Sequence, residues 1–182
     1  MESKNEYPLV SIGVPTYNRN IGILKTLESI WQQKYPNLEI IISDNCSTDN
    51  TAEVIESIVK EHPEIKTYRQ ASNVGMIPNF EFVRRKATGK YFMWVADDDT
   101  LEPGILDKYV SFLEKNPEYS IVSGEVRYWL DDVPDFHEKG FNFEQNSQSL
   151  RVAGSLQRMG PGVPGRADDR GPLGSPHAPL PH

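Results

Sequence analysis

The sequence predicts an α/β fold, a three-layer α/β/α sandwich with a mostly parallel central sheet. Two observations point there. Short strand-like segments at 9–14, 38–43, 65–69 and 91–96, the first a β-branched apolar run, alternate with segments whose apolar residues recur at helical spacing. The connecting segments run to about a dozen residues, the length of the crossover helix that joins parallel strands.

The elements follow in order. The run 9–14 stops at Pro15 and reads as a buried strand ending in a loop. In the helix after it, Asn18 or Asn20 is available as N-cap, and Ile23, Leu24, Leu27, Ile30 and Trp31 form one stripe before Tyr35-Pro36-Asn37 breaks it. The second strand, 38–43, leads into Asp44-Asn45-Cys46-Ser47-Thr48-Asp49. There Asn50 with Glu53 makes a cap for a helix with Ile55, Ile58 and Val59 inward. A third strand spans 65–69, a third helix 78–88 with Phe80, Val83 and Ala87 inward, and a fourth strand 91–96. Pro103 suits a first turn, and Ile105, Leu106, Tyr109, Phe112 and Leu113 share a face before Asn116-Pro117. Two further strands are expected at 119–123 and 125–130.

The 182 residues are 37% hydrophobic and 25% charged, enough for one domain with a sizeable core. Residues 1–7 read as an N-terminal extension and 8–153 as the domain. Six of the 13 glycines and six of the 14 prolines fall after Ala153 without apolar periodicity. Residues 154–182 are therefore expected to form a disordered tail, either a natural linker or read-through sequence foreign to the fold.

The formal net charge of −7, with no dense Lys and Arg block, argues against nucleic acid as a partner. No apolar run reaches the roughly 18–20 residues of a membrane span, and the N-terminus lacks a signal-peptide core. A cytoplasmic protein is expected, with peripheral association at the inner face of the membrane compatible with this composition. The single cysteine, Cys46, precludes an intrachain disulfide.

In sheets of this kind ligands bind beyond the carboxyl ends of the strands. Three features fall there: Pro15-Thr16-Tyr17-Asn18-Arg19, Asp44, and Asp97-Asp98-Asp99. Consecutive carboxylates repel one another, so keeping them ionised in one cleft calls for a cation. A hard, oxygen-seeking ion such as Mg²⁺ or Mn²⁺ fits. The plainer reading is a solvated acidic turn that caps the next helix; the position after an apolar strand favours the cation. In an extended segment Asp97 and Asp99 would point one way and Asp98 the other, so spacing does not choose the ligand. Asp44 could accept hydrogen bonds from a base or ribose, Tyr17 could lie over a nucleobase, and Arg19 could reach a phosphate. Ser72-Asn73-Val74-Gly75 could bring backbone close to a ligand. Arg84, Arg85 and Lys86, consecutive on a helix, read as a solvated basic face.

Taken together, four ordered motifs resemble the family 2 glycosyltransferases. They are Val10-Ser11-Ile12-Gly13-Val14-Pro15-Thr16-Tyr17-Asn18-Arg19, Ile41-Ile42-Ser43-Asp44-Asn45-Cys46-Ser47-Thr48-Asp49-Asn50-Thr51, Asn73-Val74-Gly75, and Ala87-Thr88-Gly89-Lys90-Tyr91 ahead of Asp97-Asp98-Asp99. The resemblance covers residues 8–130 and implies the GT-A, nucleotide-diphospho-sugar transferase type of α/β/α sandwich. It implies that Pro15, Thr16, Tyr17, Arg19, Asp44, Asn73 and Asp97 bind the nucleotide sugar, and that Asp98 with Asp99 holds Mn²⁺ or Mg²⁺. The implied reaction moves a sugar from a nucleotide-diphosphate sugar, a UDP-sugar first among candidates, to a glycan or lipid-linked acceptor with inversion, in cell-surface polysaccharide synthesis.

Two departures stand out. The family's acidic motif is usually Asp, any residue, Asp, Asp, and Ala96 occupies its first position here. The Arg-Asn pair many members carry after Asn-any-Gly is replaced by Asn79-Phe80. The family's base, an Asp or Glu well beyond the metal motif, has no recognisable counterpart. Asp131, Asp132, Asp135 and Glu138 read as a surface loop, and the domain is expected to be truncated on its acceptor side. Two alternatives stay open: a nucleotide-sugar-binding module without turnover, and a sugar-phosphate nucleotidyltransferase, whose Gly-rich phosphate loop is not matched by Val14-Pro15-Thr16-Tyr17-Asn18.

Overall fold

A computed structural model of the chain describes residues 7–124 and 155–160. Among these residues six strands form one sheet in the order β3-β2-β1-β4-β6-β5. The strands are β1 (Val10–Thr16), β2 (Leu38–Asp44), β3 (Lys66–Arg69), β4 (Tyr91–Trp94), β5 (Ile121–Val122) and β6 (Leu156–Arg158). The first four are mutually parallel, and β6 runs antiparallel to both β4 and β5. The helices are α1 (Gly22–Trp31), α2 (Thr51–Glu61), α3 (Met76–Lys86) and α4 (Ile105–Lys115).

Two hydrophobic clusters show the three layers. On one face of the sheet Ile12, Val14, Ile40, Ile42, Tyr91 and Met93 pack with Ile23 and Leu27 of α1, Ile55 and Ile58 of α2 and Leu106 and Leu113 of α4. On the other, Ile41, Phe92 and Trp94 pack with Val83 of α3. The alternation of Ile40, Ile41 and Ile42 between clusters is the period of two of a strand buried on both faces. The sheet reverses its order of growth at β1, with β2 on one side and β4 on the other, so the crevice opens at their carboxyl ends.

Several expectations are corrected. Residues 155–160 are not part of a disordered tail: Leu156 is fully buried, and β6 inserts between β4 and β5. The short apolar signal at Leu156 was too brief to register as periodicity. Pro15 lies inside β1, paired with Ser43, rather than ending the strand. The predicted strand at 125–130, residues 161–182 and the acidic residues Asp131, Asp132, Asp135 and Glu138 lie outside the described residues.

The caps differ more than the helices do. Neither Asn18 nor Asn20 caps α1; Ile21 holds the N-cap position, with no side-chain bond. Asn50 sits at the α2 cap without a side-chain bond, and Asp49 Oδ1 instead accepts Thr51 N–H at 3.0 Å. Helix α3 begins at Met76, two residues before Pro78, because the first helical amides have no intrahelical partner to lose. Pro103 precedes α4 by two residues, and Gly104, at φ +75, turns the chain into it. The amides of Ile105 and Leu106 are capped from a distance by Gln33 Oε1 at 3.0 and 3.4 Å. Leu24 and Phe112, assigned inward, are 41% exposed, and Val110 takes the buried place on α4.

Candidate functional site

The parallel register aligns the strand ends. Thr16 pairs with Asp44, and Asp44 with Arg69, so β1, β2 and β3 finish at one level. Beyond β4 the chain folds back, with Asp99 N–H donating to Ala96 O at 3.1 Å. That turn corrects the extended reading of the triplet. Asp97 and Asp98 reach the same guanidinium, Asp98 Oδ2 lying 3.1 Å from Arg19 Nη2 and Asp97 Oδ1 3.7 Å from Arg19 Nε. Thr26 of α1 pins the turn, its hydroxyl donating to Asp99 O at 2.8 Å.

The loop after β1 is tied to both neighbours. Tyr17 N–H donates to Asp97 Oδ2 at 3.3 Å, and the Tyr17 ring is 42% exposed at the mouth. Asn18, at φ +54, is a loop brace rather than a helix cap: its amide donates to Ser47 Oγ at 2.9 Å, and its Oδ1 accepts Thr48 N–H at 2.8 Å. Arg19 N–H donates to Thr51 Oγ1 at 2.9 Å. These bonds leave the Arg19 side chain free to turn toward the acidic triplet.

Asp44 closes the floor. Its Oδ1 accepts Ser47 N–H at 2.9 Å and the Ser47 hydroxyl at 2.5 Å. Its Oδ2 is buried and makes no hydrogen bond, with Arg69 Nε 3.4 Å away. A buried acceptor without a hydrogen bond is costly; the Arg69 guanidinium offsets part of that cost, and the free lone pair can accept an N–H or O–H.

Asn73 is placed at the same end but spends its side chain on the loop. Its Oδ1 accepts Gly75 N–H at 2.8 Å and Asn45 Nδ2–H at 3.0 Å, while Asn45 Oδ1 accepts Val74 N–H at 2.9 Å. Gly75, at φ +88, supplies the left-handed turn into α3. Asn79, 2% exposed, donates to Ser43 O and accepts from the Ser43 hydroxyl, fixing α3 one residue before Asp44. Arg84 and Arg85 pair with Glu81, and Lys86 lies 5.1 Å from the centre of the Tyr68 ring.

Burial pushes the Asp97 carboxyl up, and the Asp98 charge adds to it, against the pull of Tyr17 N–H and Arg19. Burial with the charges of Asp98 and Asp97 pushes Asp99 up as well. One guanidinium faces this run of three carboxylates, so a bound cation would relieve their remaining mutual repulsion. Among the described residues no three carboxylate, imidazole or thiol groups close around one point. Asp98 with Asp97 or Asp99 would offer a divalent ion hard carboxylate oxygens of the kind Mg²⁺ and Mn²⁺ take, fewer than a closed all-protein site needs.

A mostly parallel sheet with helices on both faces, opening onto an acidic turn at the carboxyl ends of its central strands, defines an α/β domain of the ligand-binding crevice type. The chain belongs to glycosyl transferase family 2, whose model matches residues 11–159. An uncharacterized glycosyltransferase of Haemophilus influenzae is 38% identical over 109 residues, covering 60% of this chain and 34% of that protein. The GalNAc(5)-diNAcBac-PP-undecaprenol β-1,3-glucosyltransferase of Campylobacter jejuni is 32% identical over 122 residues, 64% of this chain and 38% of that protein. The chain thus spans little more than a third of the length of these relatives. Among solved structures, a Pyrobaculum calidifontis mannosyltransferase in complex with GDP-Man and Mn²⁺ superposes with a TM-score of 0.60 at 27% identity. The match covers 69% of this chain and 37% of that one. The fold is that of the GT-A glycosyltransferases, and no helix among the described residues is long and apolar enough to cross a membrane.

Sequence reasoning missed Arg69, Thr26, Asn45 and Ser47. Only Ser47 and Asn45, beside Asp44, lay within a motif already singled out.

Proposed function

We propose that this chain carries the donor half of a sugar transfer reaction. It binds a nucleotide-diphosphate sugar, a UDP-sugar first among candidates, together with Mn²⁺ or Mg²⁺. The whole protein then passes a hexosyl group with inversion to a glycan or lipid-linked acceptor in cell-surface polysaccharide synthesis, at the cytoplasmic side of the membrane. The single observation that supports this best is the gathering of Tyr17, Arg19, Asp44 and the Asp97-Asp98-Asp99 turn at one end of β1, β2 and β4. The bound GDP-Man and Mn²⁺ of the mannosyltransferase and the lipid-linked substrate in the name of the Campylobacter enzyme support the donor, metal and acceptor classes.

Each group then has a task. Asp44 Oδ2 accepts a base N–H or ribose hydroxyl, Thr16 and Pro15 shape the floor under the nucleoside, and the Tyr17 ring covers it. Asn73 shapes the loop on the same side, and Arg19 presents its guanidinium to the diphosphate. Asp97 holds the Tyr17 amide and the ribose side, while Asp98 and Asp99 would hold the ion. An ion held there would supply Lewis-acid stabilisation of the departing diphosphate. In an inverting displacement the acceptor oxygen bonds to the anomeric carbon as the bond to the diphosphate breaks. The acceptor proton passes to a carboxylate base, a role assigned to none of the described residues.

Titration calorimetry of the chain with UDP, with and without Mn²⁺, tests the reading beside an Asp98→Ala variant. Metal-dependent binding that vanishes in the variant is expected. A folded protein that binds no nucleoside diphosphate would overturn the donor-site assignment, and a protein that binds a UDP-sugar with Mn²⁺ but releases no UDP from it would favour a nucleotide-sugar-binding module.

A further inference from the structure

Helix α1 carries two buried stripes. Ile23, Leu27 and Ile30 pack into the core, while Thr26, Ser29 and Gln33, the last just beyond the helix, form a polar line at spacings of three and four residues. Burying polar groups is costly unless each finds a partner. Here the partners are the backbone groups of residues 96–106. The Thr26 hydroxyl donates to Asp99 O at 2.8 Å and lies 3.4 Å from Ala96 O. Ser29 Oγ accepts Leu101 N–H at 3.0 Å while its own hydroxyl donates to Thr26 O at 2.7 Å. Gln33 Nε2 donates to Glu102 O at 3.0 Å and to Ser29 O at 3.1 Å, and its Oε1 accepts the first amides of α4, from Ile105 and Leu106.

We propose that Thr26, Ser29 and Gln33 are positioning residues: they fix the acidic turn against α1 and thereby set how strongly a divalent ion reinforces nucleotide binding. This role rests on the donor and metal reading above, in which none of the three touches a ligand. Apolar packing holds α1 on the sheet but has no direction, so by itself it leaves the turn free to slide. Hydrogen bonds to successive carbonyl and amide groups do have a direction, and a fully satisfied buried network specifies one arrangement. The helix grips the turn at its other end as well. Gly22, four residues before Thr26, approaches so closely that a Cβ there would lie 2.7 Å from Asp97 O.

The nucleoside side of the crevice is braced separately. Asp44 is held by Ser47, and the loop after β1 is tied through Asn18 to Ser47 and Thr48, with no bond to the polar line of α1. Loosening that line therefore moves the carboxylates of the turn relative to a floor that stays in place. A displacement of about 1 Å in a positioned group can weaken its effect by as much as about 100-fold.

Thr26→Val keeps the shape of the side chain and removes its donor, Thr26→Ser keeps the donor, and Gln33→Met keeps the length and removes both functions of the carboxamide. The test is calorimetric titration of the full chain with UDP, with and without Mn²⁺, for the natural protein and the three variants, with thermal melts of all four. The gain in UDP affinity conferred by Mn²⁺ is expected to fall at least about tenfold in Thr26→Val and Gln33→Met and to stay within about threefold of natural in Thr26→Ser, with metal-free binding unchanged. An undiminished gain in a folded Thr26→Val or Gln33→Met, an equal loss with and without Mn²⁺, or a loss in Thr26→Ser as large as in Thr26→Val would overturn the positioning role while leaving the donor site standing. UDP binding by the natural protein that Mn²⁺ does not strengthen would remove the metal role of the turn and this inference with it, with the nucleoside floor intact. Failure of the folded natural protein to bind UDP at all would overturn the donor site and this inference together.

Discussion

The guanidinium of Arg19 lies across the acidic turn after β4, 3.1 Å from Asp98 and 3.7 Å from Asp97. An internal cation thus stands where a divalent ion and a diphosphate would meet. Arg19→Ala removes a competitor for the carboxylates and a donor to the diphosphate at once. Nucleoside diphosphate affinity is expected to fall about 10- to 100-fold, the worth of a charge-assisted hydrogen bond, while Mn²⁺ alone binds more tightly. Calorimetry with UDP and a paramagnetic titration of Mn²⁺ read the two effects; parallel loss of both would make Arg19 a prop for the turn.

Asp97 links stability to pH in a direction opposite to that of most surface carboxylates. Its folded carboxyl is raised above 3.8 by burial and by Asp98, so between 3.8 and its folded value the native state holds more protons than the unfolded one. Stability then falls as pH rises through that window. Asp97→Asn is expected to raise Tm at pH 7, a gain that shrinks as pH falls toward 3.8, while nucleotide binding weakens. Thermal melts of both proteins from pH 3 to 7 provide the check; an equal difference at every pH would exclude the linkage.

Gly22 opens α1 directly against the acidic turn. A Cβ at this position would lie 2.7 Å from the Asp97 carbonyl oxygen, a backbone atom that cannot rotate aside. Gly22→Ala must displace the turn, at a cost of about 1–3 kcal/mol partly offset by better helix propensity. Metal-dependent UDP binding is expected to weaken at least about tenfold in a protein that still melts cooperatively. Unchanged affinity would mean that the position of the turn does not govern the site.

Cys46 adopts φ +62 between Asp44 and Ser47. A left-handed conformation costs an L-residue about 1–2 kcal/mol, and glycine avoids most of it at some loss of unfolded-state entropy. Cys46→Gly should raise stability by roughly 0.5–1 kcal/mol, or about 1–4 °C in Tm for a chain of this size, with UDP affinity retained. A lower Tm would show that the thiol contact with Ala71 O, at 3.9 Å, outweighs the strain.

Much of this protein was legible from local pattern. Buried runs such as Ile40-Ile41-Ile42 declare a strand covered on both faces. The helical stripe through Ile23, Leu27 and Ile30 declares a helix on one of them. Asp44 and Asp97-Asp98-Asp99 followed from the rule that ligands gather beyond the carboxyl ends of parallel strands. Caps were less legible, because Gln33 serves α4 from the end of another helix, and a partner about 70 residues away leaves no trace in spacing.

By itself, then, the sequence determined the alternation of strands and helices, the class of fold and the location of the charged turn. These follow from periodicity and from which residues end each apolar run. Only the tertiary structure decided that β6 enters the sheet, that Asp97 and Asp98 bend onto one guanidinium, and that Arg69 stands over Asp44 Oδ2. Each of these depends on strand register or turn geometry, which bring together residues far apart in the chain and are set by packing across the whole domain.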